Sequence, residues 1–420
     1  MSQLILTGMA ASISLSHARN LREKFSPKRV YLRIANLINS SRTHVQDQND
    51  RAGTRDPYCS NLIRSPSQAL RAPLAIRRER LSDGFFAFFD QHDGKMNLLV
   101  ESDYSEVVCA ESLERQLDLV RIAAVGLLPG VFGPRSVSWR IDRESAIFLG
   151  AGRALLLQLA HPWVAAAIEQ HSNVSVDPIG RFHRTFRIVF SMVFGTLDQS
   201  MTAARRLYHR HADVRGELPW TAGPFSVGST YCANGIPALR WVWATLIETA
   251  LVAYELVLPP LTRQQREQYY RESRLFAGLF GIPRECLPPD WTTFCAYFSD
   301  MAESEILSIS DRTRKSARRL IAGTDLWLPV PVSYQDLTVW LLPRPIRERF
   351  GFSFALGQNR DIRRALALSR RLYPLLPRRL RYVGPYQEAE QRLAGQSPPD
   401  FVTRLCNRFW IGRAELSQGK

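Results

Sequence analysis

Arg181, Thr185 and His211 are the residues whose types and spacing could do chemistry in this chain. A guanidinium, a hydroxyl and an imidazole turned towards apolar surroundings are costly to bury unless they are hydrogen-bonded or bind something. Imidazole is a metal ligand through one nitrogen while the other is held by a neighbour, a guanidinium pairs with carboxylates, and a hydroxyl orients oxygen or water. A buried polar site is the chemistry this trio points to.

Two helices must position it. Asp177 is a favourable N-cap and Pro178 suits the first helical position, so a helix begins at about 178. At about 100° per residue, Ile179, Phe182, Phe186, Val189, Phe190 and Val193 form an apolar arc, with Arg181, Thr185, Ile188 and Met192 along its inward margin. His183, Arg184 and Arg187 fall on the opposite, solvent side. Thr196 to Gln199 reads as the capping box of a second helix, stopped by Gly216. Its inward stripe runs Met201, Ala204, Leu207, Tyr208, His211 and Val214, so His211 faces the core and His209 faces water.

Each residue has a plainer role beside the chemical one. His211 fits a hydrogen-bonded core histidine as well as a ligand. His161, ahead of Pro162, suits a helix junction where it caps backbone carbonyls, and His171 suits a helix end; both are also ligand candidates. Arg181 could pair with Glu169, and Thr185 could bond the carbonyl four residues back. Trp241, Trp243 and Tyr254 fit core packing better than a substrate channel.

The chain has 420 residues with 45% apolar content, enough for a sizeable core, and a formal charge of +16. That charge lies at the ends: residues 1–95 hold 15 basic against 8 acidic residues and 331–420 hold 16 against 7, whereas 96–330 hold 24 of each. A neutral centre excludes a nucleic-acid groove, which needs basic residues tracking a phosphate backbone. The basic flanks, including the arginines from 363 to 381, suit a peripheral contact with anionic lipid. Six scattered cysteines form neither CxxC pairs nor CxxCH, so a disulfide framework and covalent haem attachment are not expected. Met1 to Arg19 lacks the basic-then-apolar pattern of an export signal, which favours a cytoplasmic protein. The apolar stretches 146–168 and 236–258 are interrupted by Arg153, Gln158 and His161 and by Arg240, Glu248 and Glu255. They read as buried core helices rather than membrane spans.

Periodicity is helical almost throughout 135–395, with another capping box at Thr262 to Gln265 and little strand-like alternation. The expected fold is all-α: a single large helical domain over 135–395, preceded by lead-in helices at 96–134 and a weakly ordered segment at 1–95, and followed by a C-terminal tail at 396–420.

Gly150 to Pro162, His171-Ser172, Asp177-Pro-Ile-Gly-Arg-Phe-His-Arg-Thr185 and His211-Ala-Asp-Val-Arg-Gly216 resemble motifs of the catalytic domain of MpaB-type oxygenases and rubber oxygenases. Trp241 to Leu246, Gly281-Ile-Pro283 and Leu376 to Arg381 continue the resemblance, which spans roughly 130–395. It implies a globin-like core holding b-type haem non-covalently, with His211 as proximal ligand and metal-binding residue and with Arg181 and Thr185 needed for activity. His161 and His171 lie in the same motifs as further candidates for contact with the cofactor. Arg184 stands where rubber oxygenases carry a lysine that can approach the distal side of the iron, and arginine does not readily lose its proton to do so. Trp243 stands where the family favours histidine. The implied activity is haem-dependent oxidation by O2 of a hydrophobic, isoprenoid or otherwise unsaturated substrate, served by an electron donor that the sequence does not identify. The alternative is a helical carrier of hydrophobic ligands that has no redox activity.

Overall fold

In a computed structural model of the protein, residues 106–171, 177–323, 330–353 and 356–416 are described. The segment 1–95, expected to be weakly ordered, lies outside them. All the described residues belong to one compact unit, which is helical apart from one two-stranded hairpin. The all-α expectation holds.

Helix starts follow their caps. Cys109 and Ser112 bond reciprocally to open α1 (Ala110–Ala123), which buries Leu113, Leu117 and Val120. Short α2 (Val137–Asp142) is capped by Ser136, and the Glu272 carboxylate accepts from the free N–H groups of Val137 and Ser138 at 3.2 and 2.7 Å. A carboxylate at a helix N-terminus satisfies orphan donors and opposes the helix dipole. The apolar run 146–168 is not one helix but three pieces: a 3-10 segment (Ser145–Gly150), α3 (Ala151–Leu159) and α4 (Pro162–His171). α5 (Pro178–Phe194) starts with the Asp177 carboxylate accepting from Gly180 N at 2.8 Å. α6 (Leu197–Ala212) opens with the Thr196–Gln199 capping box. It stops at Ala212, four residues before Gly216, because Arg215–Glu217 (β1) pairs antiparallel with Thr230–Cys232 (β2), placing Gly216 opposite Tyr231.

α7 (Ile236–Val257) is the spine of the core. Among the described residues it alone is long and apolar enough to cross a bilayer, yet 67% of its most apolar window is buried within the fold. It packs on the 3-10 segment, α3, α2 and α8 (Arg263–Gly278). Gly150 permits the closest approach, since a Cβ there would collide with Thr249 and lie 3.2 Å from Ala253. Two of the charges that interrupt the apolar stretches, Arg153 and Glu248, answer one another, while Arg240 donates to the Cys286 carbonyl and Glu255 pairs with Arg266. Arg153, only 3% exposed, forks onto Glu248 and also donates to Thr249 Oγ1 at 2.6 Å and to the Leu341 carbonyl at 2.8 Å. Trp241 and Trp243 are fully buried and donate to the carbonyls of Leu157 (2.8 Å) and Ser273 (3.0 Å), so both are core residues. Around this spine lie α9 (Trp291–Glu303), α10 (Asp311–Ala322), α11 (Val332–Trp340), α12 (Arg344–Arg349) and α13 (Leu356–Leu372).

The C-terminal part is integral to the fold. α14 (Arg378–Arg381), α15 (Gly384–Leu393) and α16 (Phe401–Ile411) follow, and α16 packs on α15 and α5, burying Trp410 and Ile411. The stretch expected to be a tail from 396 therefore contains a packed helix. Fully buried Glu144 ties this part to the first half: its carboxylate accepts from Arg381 at 2.7 and 2.8 Å and from Tyr373 Oη at 3.1 Å. Removing one partner of such a pair strands the other charge in a low-dielectric interior. Glu144→Ala is expected to lower the unfolding free energy by about 3–5 kcal/mol in urea denaturation. Glu348→Ala, which breaks the exposed Arg344–Glu348 pair, should cost less than about 1 kcal/mol.

Candidate functional site

The α5–α6 hairpin carries Arg181, Arg184, Thr185 and His211 on two antiparallel, closely packed helices. Burial on α5 is graded along the helix as well as around it. Phe190, Met192, Val193 and Phe194 are buried, whereas every described side chain from Ile179 to Val189 is half-buried apart from Thr185, which is exposed. Thr185 therefore does not face the core. Its place on the margin of the arc would bury it only if an element lay over that turn, and periodicity carries no information about overlying elements. Arg181 is half-buried, and burial beside Arg184 lowers its pKa. Glu169, the carboxylate that the sequence offered to Arg181, is paired instead with Arg312.

Arg184 is committed elsewhere. Its guanidinium meets the Asp177 carboxylate at 3.0 Å, with both side chains about half exposed, so it braces the helix start. Two further residues depart from the solvent side assigned to them. His183 is half-buried, with Nε2 at 3.0 Å from the Phe409 carbonyl and its ring against Gly412, whose left-handed φ of 70° ends α16 there. Arg187 is half-buried and lines a polar hollow with Arg206, Arg210 and Arg413.

Of the candidate histidines, His211 lies on the helix packed against α5. It is half-buried in the last turn of α6, and neither ring nitrogen has a hydrogen-bond partner among the described residues. Loss of hydration, reinforced by Arg210, lowers its pKa to about 4, so the imidazole is neutral at physiological pH, the form that binds metal. His209 is exposed, as its spacing requires. His161 is 1% exposed, and burial lowers its pKa to about 3. Its Nδ1 accepts from Trp163 N at 3.3 Å and its ring lies 5.9 Å from those of Trp163 and Phe225. It thus braces the α3–α4 junction by accepting from an N–H rather than by capping carbonyls. His171 is exposed at the end of α4, with its ring 6.3 Å from that of Tyr231. The structure brings His211 and the arginine-bearing turns of α5 into one hairpin and leaves His161 in a separate core cluster.

A cavity of about 100 Å³ lies on the apolar side of α5 and opens to solvent. Its walls come from α2, the 3-10 segment, α3, α5, α7 and α8, and include Ile147, Phe148, Phe186, Val189, Phe190 and Val193. Ring contacts from Phe148 to Phe182, Phe186 and Trp410, with centroids 5.5, 4.7 and 4.3 Å away, fix one wall. Asp142 also lines it. Desolvation, with the neighbouring Glu272 carboxylate, pushes its pKa up to about 8. Sequence reasoning missed Asp142, although an acid between Trp139-Arg-Ile141 and Ile147-Phe148 was an available signal.

No group of three or more His, Cys, Asp or Glu side chains among the described residues could hold a metal ion by itself. A haem would take a donor nitrogen from the protein, and a neutral imidazole could supply it. His211 fits the group on this ground, Arg184 does not, and the cavity beside Asp142 has no histidine in its lining. A family model described as "ER-bound oxygenase mpaB/B'/Rubber oxygenase, catalytic domain" matches residues 139–372. No curated protein and no solved structure matches the chain.

The raised pKa of Asp142 sets a sign for stability. The fold favours its neutral form, so that contribution is complete below the unfolded value near 3.8 and is lost as pH rises towards about 8. The melting temperature should fall as pH rises from about 4 to about 8, and Asp142→Asn, which cannot ionise, should flatten that fall; parallel Tm–pH curves for the two proteins would contradict the assignment.

Proposed function

We propose that this chain, which belongs to the MpaB/rubber oxygenase catalytic-domain family and so to a family of oxygenases, is a haem b-dependent enzyme that uses O2 to oxidise a hydrophobic, unsaturated substrate. The observation that carries the reading is His211, neutral and without a hydrogen-bond partner among the described residues, on a helix packed against the one that bears Arg181. Haem held through His211 would supply O2 activation at iron. This chain's residues would do the rest. His211 would offer its lone pair without first losing a proton, because its pKa lies well below neutrality. Arg181, whose half-burial strengthens its electrostatics, would pair with a propionate or donate a hydrogen bond at the site. The phenylalanines of α5 would exclude water and favour an alkene-like chain. Thr185, exposed at its turn, would act by orienting a water or oxygen from the open side. His171, likewise exposed, would have at most an outer role.

Purified protein supplied with haem should show a Soret band that shifts with dithionite. His211→Ala should abolish it while leaving far-UV circular dichroism unchanged, and Arg181→Ala should keep the band but lower oxygen uptake by about 10²-fold. A colourless protein after haem supply would sink the reading.

A carrier without redox activity is the second reading, favoured by the Arg184–Asp177 pair and the exposure of Thr185. It predicts binding of apolar ligands with no oxygen consumption in the presence of a reductant. Neither reading involves nucleic acid, and contact with anionic lipid through the basic C-terminal helices is compatible with both.

A further inference from the structure

We propose that the cavity bounded by α2, α5, α7 and α8 binds a hydrophobic molecule by an uncharged oxygen head group, an alcohol or ketone, held by Asp142 and Tyr269. This rests on the oxygenase reading only for what happens to that molecule, not for its binding. The cavity walls are apolar, and five polar side chains interrupt them: Ser138, Asp142, Thr249, Tyr269 and Ser273. Three are already used. Ser138 Oγ donates to Glu272 at 2.8 Å, Thr249 Oγ1 accepts from Arg153 at 2.6 Å, and Ser273 Oγ donates to the Tyr270 carbonyl at 2.7 Å. The Asp142 carboxyl and the Tyr269 hydroxyl have no hydrogen-bond partner among the described residues, although Tyr269 is 1% exposed. Tyr269 is buried and Asp142 half-buried, and a polar group that opens onto a cavity is placed to bond a molecule inside it. The two line one apolar cavity within electrostatic reach of each other and form a polar patch in its wall.

The charge state decides the head group. Glu272 accepts from two backbone N–H groups, from Ser138 Oγ and from Gln268 at 2.9 Å, so it acts as an acceptor to every one of these neighbours. Burial beside that carboxylate keeps Asp142 protonated at neutral pH and raises the Tyr269 phenol well above its ordinary range. Both groups are therefore O–H donors and require an acceptor oxygen. A carboxylate would meet the field of Glu272 inside an apolar wall, and an ammonium would have to shed its hydration to enter. An alcohol or ketone oxygen accepts both bonds and brings no charge.

Titration of the full chain with octanol, octanone, octane, octanoate and octylamine, followed by calorimetry, tests this. Octanol and octanone should bind at least about tenfold tighter than the other three, the worth of one well-made hydrogen bond. Asp142→Leu and Tyr269→Phe should each weaken octanol by about tenfold and leave octane unchanged. Should Asp142→Leu fail to fold, the nearly isosteric Tyr269→Phe decides alone. Failure of octanol to bind, tightest binding by octanoate or octylamine, or octanol affinity unchanged in Tyr269→Phe would each overturn the proposal. An absorption spectrum of the same samples separates the two readings. Octanol selectivity without a Soret band removes the haem, and a Soret band without octanol selectivity removes the head-group anchor.

Discussion

The buried carboxylate of Glu144 is the interaction on which the rest of the structure depends. It sits at the start of the 3-10 segment that carries Ile147 and Phe148 into the cavity wall, and it is held by Arg381 and Tyr373 from more than two hundred residues away. The neighbouring Arg143 carbonyl accepts from Val383 N at 2.9 Å, so backbone and side chain fasten the same point. Loop closure over that separation is entropically expensive, and a charge-assisted, fully desolvated contact is an appropriate device to hold it. The register of Phe148 against Phe182, Phe186 and Trp410 follows from that anchorage.

α5 separates two environments. Its phenylalanine arc closes an apolar chamber, while its other flanks meet α6 and the C-terminal helix through polar side chains such as Arg187 and His183. The proposed oxidation of an apolar molecule would need both, a dry place for the chain and a polar margin for the groups that hold a cofactor and oxygen. Buried charges follow the same division. Arg153 with Glu248 and Glu272 with the start of α2 are each compensated locally, which leaves the chamber lined by Asp142 as its one ionisable acid.

Much of the framework was legible in the chain. The Asp177, Thr196 and Thr262 caps predicted three helix starts, since a capping residue acts on its own first turn and needs nothing from afar. The contrast between His211 and His209 was also legible, because a difference of two residues in a helix reverses the face. Thr185 and His183 were not. Their exposure depends on which distant segment lies over each turn, and the contact of α16 with His183 joins residues 226 apart. Arg153 and Glu248 appeared only as interruptions of two apolar runs. That they cancel each other is a fact of tertiary structure, as is the gathering of Asp142 and Tyr269 from α2 and α8.

The cavity also has a mechanical meaning. A native state that contains internal space occupies more volume than its unfolded chain, so hydrostatic pressure drives it towards unfolding in proportion to the void eliminated. The chamber behind α5 is therefore a place where pressure would act, to a degree set by whatever fills it. A molecule seated against Asp142 would stiffen the bundle from within, coupling the occupancy of the chamber to the rigidity of the helix that carries Arg181.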